Sequence, residues 1–115
     1  MNKFGPLLRV ARVRTGKSLR EVGEYLEITP QYLHDIEQGR RGPLDRDKLV
    51  KAARLLMVEP LGLIKAAGID RGFFKLPYSD ATADLGASIE KHWPGLTKME
   101  AAKIASFMKK KEGKK

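Results

Sequence analysis

Two helix starts fall close together in this chain, and their spacing limits the fold more than any other feature. Ser18 can cap a helix, and Glu21 three residues later completes a capping box. Thr29 can cap a second helix, with Pro30 at the first position, where a missing N–H costs nothing. Leu19, Val22, Gly23 and Leu26 share one face of the first helix. Glu27 breaks that pattern, and Ile28 keeps an apolar anchor inside the turn. Leu33 and Ile36 give the second helix a narrow apolar stripe, and Gly39 supplies its stop. The residues from Ser18 to Pro43 therefore predict two short helices joined by a tight turn. Gln31, Tyr32, His34, Asp35 and Gln38 lie off the stripe, and a short helix with such an outer face is suited to reading base edges.

The Val22-Gly23 pair, Leu26, Ile28-Thr29, Leu33, Ile36-Glu37, Gly39 and Arg40-Arg41-Gly42-Pro43 together resemble the helix-turn-helix of the Cro/repressor (XRE) family of bacterial and phage regulators. The resemblance extends from about Phe4 to Gly68. It implies a five-helix, lambda-repressor-like domain in which the first turn of the third helix enters the major groove. By position, Pro30, Gln31 and Asp35 fall at the family's base-contacting places, with Tyr32 and His34 beside them and Thr29 at the helix start. Gln31 can pair with adenine, and Asp35 can accept from a cytosine amino group while repelling phosphate. Tyr32 can pack on a thymine methyl or bond a phosphate. Lys17, Arg20, Arg40, Arg41, His34 and Gln38 are the expected phosphate contacts, which position the protein and carry its salt dependence. Arg12 aligns with a family arginine that pairs with a glutamate late in the recognition helix, here Glu37. The family's usual turn glycine is replaced by Glu27, and a common glutamine by Leu19.

Around this pair, a first helix is expected from Pro6 to Thr15 with Leu7, Leu8 and Ala11 toward the core. A fourth, after Asp45-Arg46-Asp47, runs to about Met57 and buries Leu49, Ala52, Ala53 and Leu56. Glu59-Pro60 opens a fifth through Ala67, with Leu61 and Ile64 inward and Gly68 closing it. The DNA-binding domain is thus expected over residues 1–68. A connector follows at 69–79, whose Phe73, Phe74, Leu76 and Tyr78 suggest that it packs down. Residues 80–108 read as a C-terminal helical hairpin broken at Pro94-Gly95, its second helix opened by a Thr97–Glu100 capping box. Residues 109–115 read as a disordered basic tail. The hairpin has too few apolar residues to be a domain alone, so Leu85, Ile89, Trp93, Ile104 and Phe107 are expected either to cover the first five helices or, the favoured reading, to meet a second subunit. Proteins of this kind that read palindromes hold two recognition helices ~34 Å apart.

The 115 residues carry a net charge of +9 and contain no Cys, which excludes disulfides and Cys-based zinc sites. The excess charge is spread over both parts of the chain and favours phosphate-bearing partners. His34 and His92 form no cluster with other ligands, so no metal or cofactor is expected. Thr15-Gly16-Lys17-Ser18 echoes the end of a phosphate-binding loop but lacks the earlier glycine and a preceding strand. No spacing suggests a catalytic triad, and an enzyme is not expected. No apolar run reaches the ~20 residues that span a bilayer, and the first residues lack the apolar segment of a signal peptide. The expectation is an all-α, cytoplasmic and nucleoid-associated DNA-binding regulator, a homodimeric repressor of double-stranded DNA reading an inverted repeat. The alternative is an antitoxin-like module whose C-terminal part binds a protein partner while DNA binding serves autoregulation.

Overall fold

The computed structural model describes residues 2–73 and 75–112, and all of the regular structure in them is helical. The helices are α1 (Phe4–Arg14), α2 (Leu19–Leu26), α3 (Pro30–Glu37), α4 (Arg46–Leu55), α5 (Pro60–Arg71), α6 (Ala83–His92) and α7 (Lys98–Glu112). The chain divides after Lys75 into two units.

In the first unit α2, α3, α4 and α5 begin where local chemistry supplies a cap. Ser18 Oγ accepts from the Glu21 N–H while Glu21 returns the bond to Ser18, each at 3.0 Å. Thr29 Oγ1 accepts from the Tyr32 N–H at 3.0 Å, with Pro30 at the first helical position. Asp45 and Glu59 cap α4 and α5 in the same way. Glu27, which stands at the turn, adopts the left-handed conformation at φ 59°. The turn keeps its shape without glycine and holds a strained non-glycine residue instead.

The core runs from Phe4 to Ala67. It joins Phe4 and Leu8 of α1, Val22 and Leu26 of α2, Leu33 and Ile36 of α3, Leu49 and Ala52 of α4, and Leu63 and Ala67 of α5. Helix α1 packs on α3 and α5, and α4 on α2 and α5, so α1, α4 and α5 form a platform behind the α2–α3 pair. Gly5 permits the closest approach: a Cβ there would stand 2.6 Å from the carbonyl oxygens of both Ile36 and Glu37. Any other residue at this position would push α1 off the end of α3.

Three expectations change here. Helix α1 starts at Phe4 rather than Pro6, because its first N–H groups find acceptors outside the helix. The Asp70 carboxylate takes the N–H of Lys3 at 2.8 and 2.9 Å and that of Phe4 at 2.8 Å, and Asn2 Oδ1 takes that of Gly5 at 3.0 Å. Helix α5 does not stop at Ala67 but continues to Arg71, with Gly72 closing it at φ 81°. Its last turn is tied down twice, by Asp70 to α1 and by the Arg71 guanidinium donating to the Leu44 carbonyl. The buried face of α5 is Leu63, Ala66 and Ala67, while Leu61 and Ile64 are exposed; in α1, Leu7 is likewise exposed. Apolar residues on both sides of α5 left its inward face ambiguous in the sequence.

The second unit is built differently. The Tyr78 ring occupies the space that a side chain at position 86 would need, and its hydroxyl donates to Glu90 Oε2 at 3.3 Å. A 3₁₀ turn at Asp80–Thr82 leads into α6, and a second at Trp93–Gly95 separates α6 from α7. Thr97 and Glu100 form the expected reciprocal cap at 3.0 and 3.1 Å. Helix α7 continues to Glu112, past the boundary at 108 expected for the hairpin. Residues 113–115 of the expected tail, and Phe74 of the connector, lie outside the described residues.

Candidate nucleic-acid interface

Helix α3 is fixed from behind. Leu33 and Ile36 are fully buried, and Glu37 is the buried charged residue among those described. Its carboxylate is met in bidentate fashion by Arg12, with Nε to Oε2 at 2.7 Å and Nη2 to Oε1 at 3.0 Å. Arg12 Nη1 also donates to the Lys17 carbonyl at 3.0 Å, so one guanidinium links α1, the α1–α2 turn and the end of α3. The hydrogen bond that Arg12 donates to Glu37 raises the pKa of the guanidinium and keeps it charged, against the opposing effect of burial. A pair so far removed from water is costly to break from one side, because the remaining charge loses its partner.

With its inner face held, α3 presents Thr29, Gln31, Tyr32 and Gln38 to solvent, with His34 and Asp35 half-buried. The Thr29 hydroxyl oxygen is engaged as the helix cap. The remaining side chains are joined rather than independent. Gln31 Nε2 donates to Asp35 Oδ1 at 3.0 Å, and Arg40 Nε donates to the same oxygen at 3.0 Å. Arg40 Nη2 lies 3.2 Å from His34 Nδ1. An arginine can only donate, so Nδ1 is the acceptor and a neutral His34 carries its proton on Nε2. The bond from Arg40, helped by that from Gln31, holds the Asp35 carboxyl below the usual range against the opposing effect of partial burial. The Arg41 guanidinium sits over the Tyr32 ring, 4.7 Å from its centroid. This contact sets a cation on an aromatic face.

The backbone explains why two residues beyond the helix return to it. Gly39 adopts φ 83°, and the N–H groups of Arg40 and Arg41 both donate to the Asp35 carbonyl, at 2.8 and 3.3 Å. The chain reverses over the last turn of α3 and lays both arginines against its outer face. Arg40, expected as a phosphate contact, lies in the loop beyond α3, and its side chain folds onto Asp35 and His34. The signal available beforehand was the acid at 35 and the base at 40 flanking a glycine stop. Among the other expected phosphate contacts, Lys17 is half-buried in the α1–α2 turn, and exposed Arg20 pairs loosely with Glu24 at 3.6 Å.

In the second unit, Leu85, Trp93, Ile104 and Phe107 are exposed and Ile89 is half-buried. No group of residues among those described could hold a metal ion, and no described helix is long and apolar enough to cross a membrane.

A family model described as a helix-turn-helix domain matches residues 3–63. Two crystal structures of the clp gene regulator ClgR from Corynebacterium glutamicum are similar to this chain. One is 28% identical over 56% of this chain and 83% of that one, with a TM-score of 0.48. The other is 24% identical over 79% of this chain and 88% of that one, with a TM-score of 0.50, and shares its fold. No curated protein sequence matches the chain.

Proposed function

The chain belongs to an XRE-like helix-turn-helix family, and from that premise we propose that it is a DNA-binding transcriptional regulator, a dimeric repressor that reads an inverted-repeat operator in the cytoplasm. The observation that carries this reading is the outer face of α3, which is held rigidly from behind and offers exposed hydrogen-bonding side chains bordered by Arg40 and Arg41. Gln31, with Thr29 and Tyr32, would meet base edges. Arg41, Lys17 and Arg20 would meet phosphates, with His34 and Gln38 beside them. The face of Leu85, Ile89, Trp93, Ile104 and Phe107 would join two copies so that their α3 helices fit successive major grooves.

The test is binding to the DNA upstream of the protein's own gene, followed by fluorescence anisotropy at two salt concentrations with random competitor DNA. Competitor-resistant binding that footprints an inverted repeat is expected. Gln31→Ala should then lose about 1–3 kcal/mol at one base pair, whereas Arg41→Ala should weaken all sequences alike and reduce the salt slope by about one. Binding abolished by competitor would leave only nonspecific attraction. The exposed apolar face of the second unit also fits a protein partner, and a chain that sediments as a monomer would favour that second, antitoxin-like reading.

A further inference from the structure

We propose that Arg40 reads a guanine in the major groove, and that Asp35 is the positioning residue that aims it rather than a reader of cytosine. The assignment rests on the DNA-binding reading above and adds a base to it. An arginine fork has a side edge, formed by Nε and one terminal nitrogen, and an end edge, formed by the two terminal nitrogens. In Arg40 the side edge is occupied, with Nε on Asp35 Oδ1 at 3.0 Å and Nη2 at 3.2 Å from His34 Nδ1. The end edge keeps Nη1 and the second proton of Nη2. Two parallel donors of that kind fit two acceptors side by side, which DNA offers as guanine O6 and N7 or as two phosphate oxygens.

The carboxylate decides between them. Asp35 stays ionised beside Arg40, because the bond from Arg40 lowers its pKa. A phosphate brought to the end edge would be repelled by that second negative charge. The acceptors of guanine are neutral, and the Asp35 charge then serves only to hold the fork. Gln31 contributes to the same restraint through its bond to Oδ1 at 3.0 Å. The backbone reversal at Gly39 sets the Arg40 side chain on the same face as Gln31, so both would address neighbouring base pairs.

Selection of bound sequences from a random double-stranded DNA pool tests this with the full chain, Arg40→Ala and Asp35→Asn, each checked for an unchanged melting transition. The unaltered protein should enrich a motif with a fixed guanine. Arg40→Ala should reduce the preference for that guanine about tenfold or more and leave the other positions as they were. Asp35→Asn should reduce the preference at the same position, an effect that a merely structural role would not confine to one base pair. Uniform weakening by Arg40→Ala with a shallower salt slope and an unchanged motif would make Arg40 a phosphate contact and overturn the assignment alone. So would loss of a cytosine preference elsewhere in the motif on Asp35→Asn. No motif from the unaltered protein would overturn the DNA-reading function and this assignment together.

Discussion

The two units of this chain are held by different means. In the first, every helix contributes to a common core, and even a charged side chain is buried against a matched partner. In the second, none of the described residues is buried, and its links include end caps and a tyrosine hydrogen-bonded to a helix glutamate. Caps and short-range bonds define where helices start, but each is worth only about 1 kcal/mol. A fully buried leucine contributes about 1.5–3 kcal/mol. The first unit thus holds its recognition helix on its own, while the second leaves large apolar side chains such as Leu85, Ile104 and Phe107 exposed.

This difference can be tested pair by pair. The largest effect should come from Glu37→Ala, which strands Arg12 and should cost about 3–5 kcal/mol in denaturant unfolding. Glu90→Ala, which removes the exposed partner of Tyr78, should change the same measurement by less than about 0.5 kcal/mol. Leu33→Ala should cost about 2–5 kcal/mol. Phe107→Ala should leave unfolding of the first unit nearly unchanged but weaken self-association in sedimentation. Equal costs for Leu33→Ala and Phe107→Ala would erase the distinction. A pH-dependent effect concerns Asp70. Burial alone would raise its carboxyl, but the N–H groups of Phe4 and Lys3 lower it below its ordinary value of 3.8. A lowered native pKa stabilises the fold above the unfolded value and loses that contribution as pH falls through the native one. Wild type should therefore exceed Asp70→Asn in stability at neutral pH, and the gap should narrow below about pH 4 and close in stronger acid.

Features fixed by neighbours in the sequence were legible in it. Ser18 with Glu21, Thr29 with Pro30, and Thr97 with Glu100 act within a single turn, so their spacing alone gives the helix starts. The stripes of Val22 and Leu26 and of Leu33 and Ile36 follow from helical period, and the partnership of Arg12 with Glu37 came from the family resemblance. Features that depend on distant pairing were not legible. Asp70 caps a helix that begins 66 residues earlier, and no local pattern marks it. On α5, Leu61 and Ile64 compete with Leu63, Ala66 and Ala67 for the inward face, and only packing against α1 and α4 chooses between them. The cluster of Gln31, Asp35, His34 and Arg40 needed the reversal at Gly39, whose course depends on backbone conformation.

The bonds from Lys3 and Phe4 to Asp70 bring the start of α1 beside the end of α5. The five-helix unit is thus almost a ring, with the start of α1 and the end of α5 a side chain apart. Its five helices would keep their arrangement if those ends were joined by a short linker and the chain reopened at the exposed turn around Met57. In such a circular permutant the recognition helix would keep its support from Arg12, Gly5 and the α2 turn, because none of these contacts depends on which end of the ring is synthesised first.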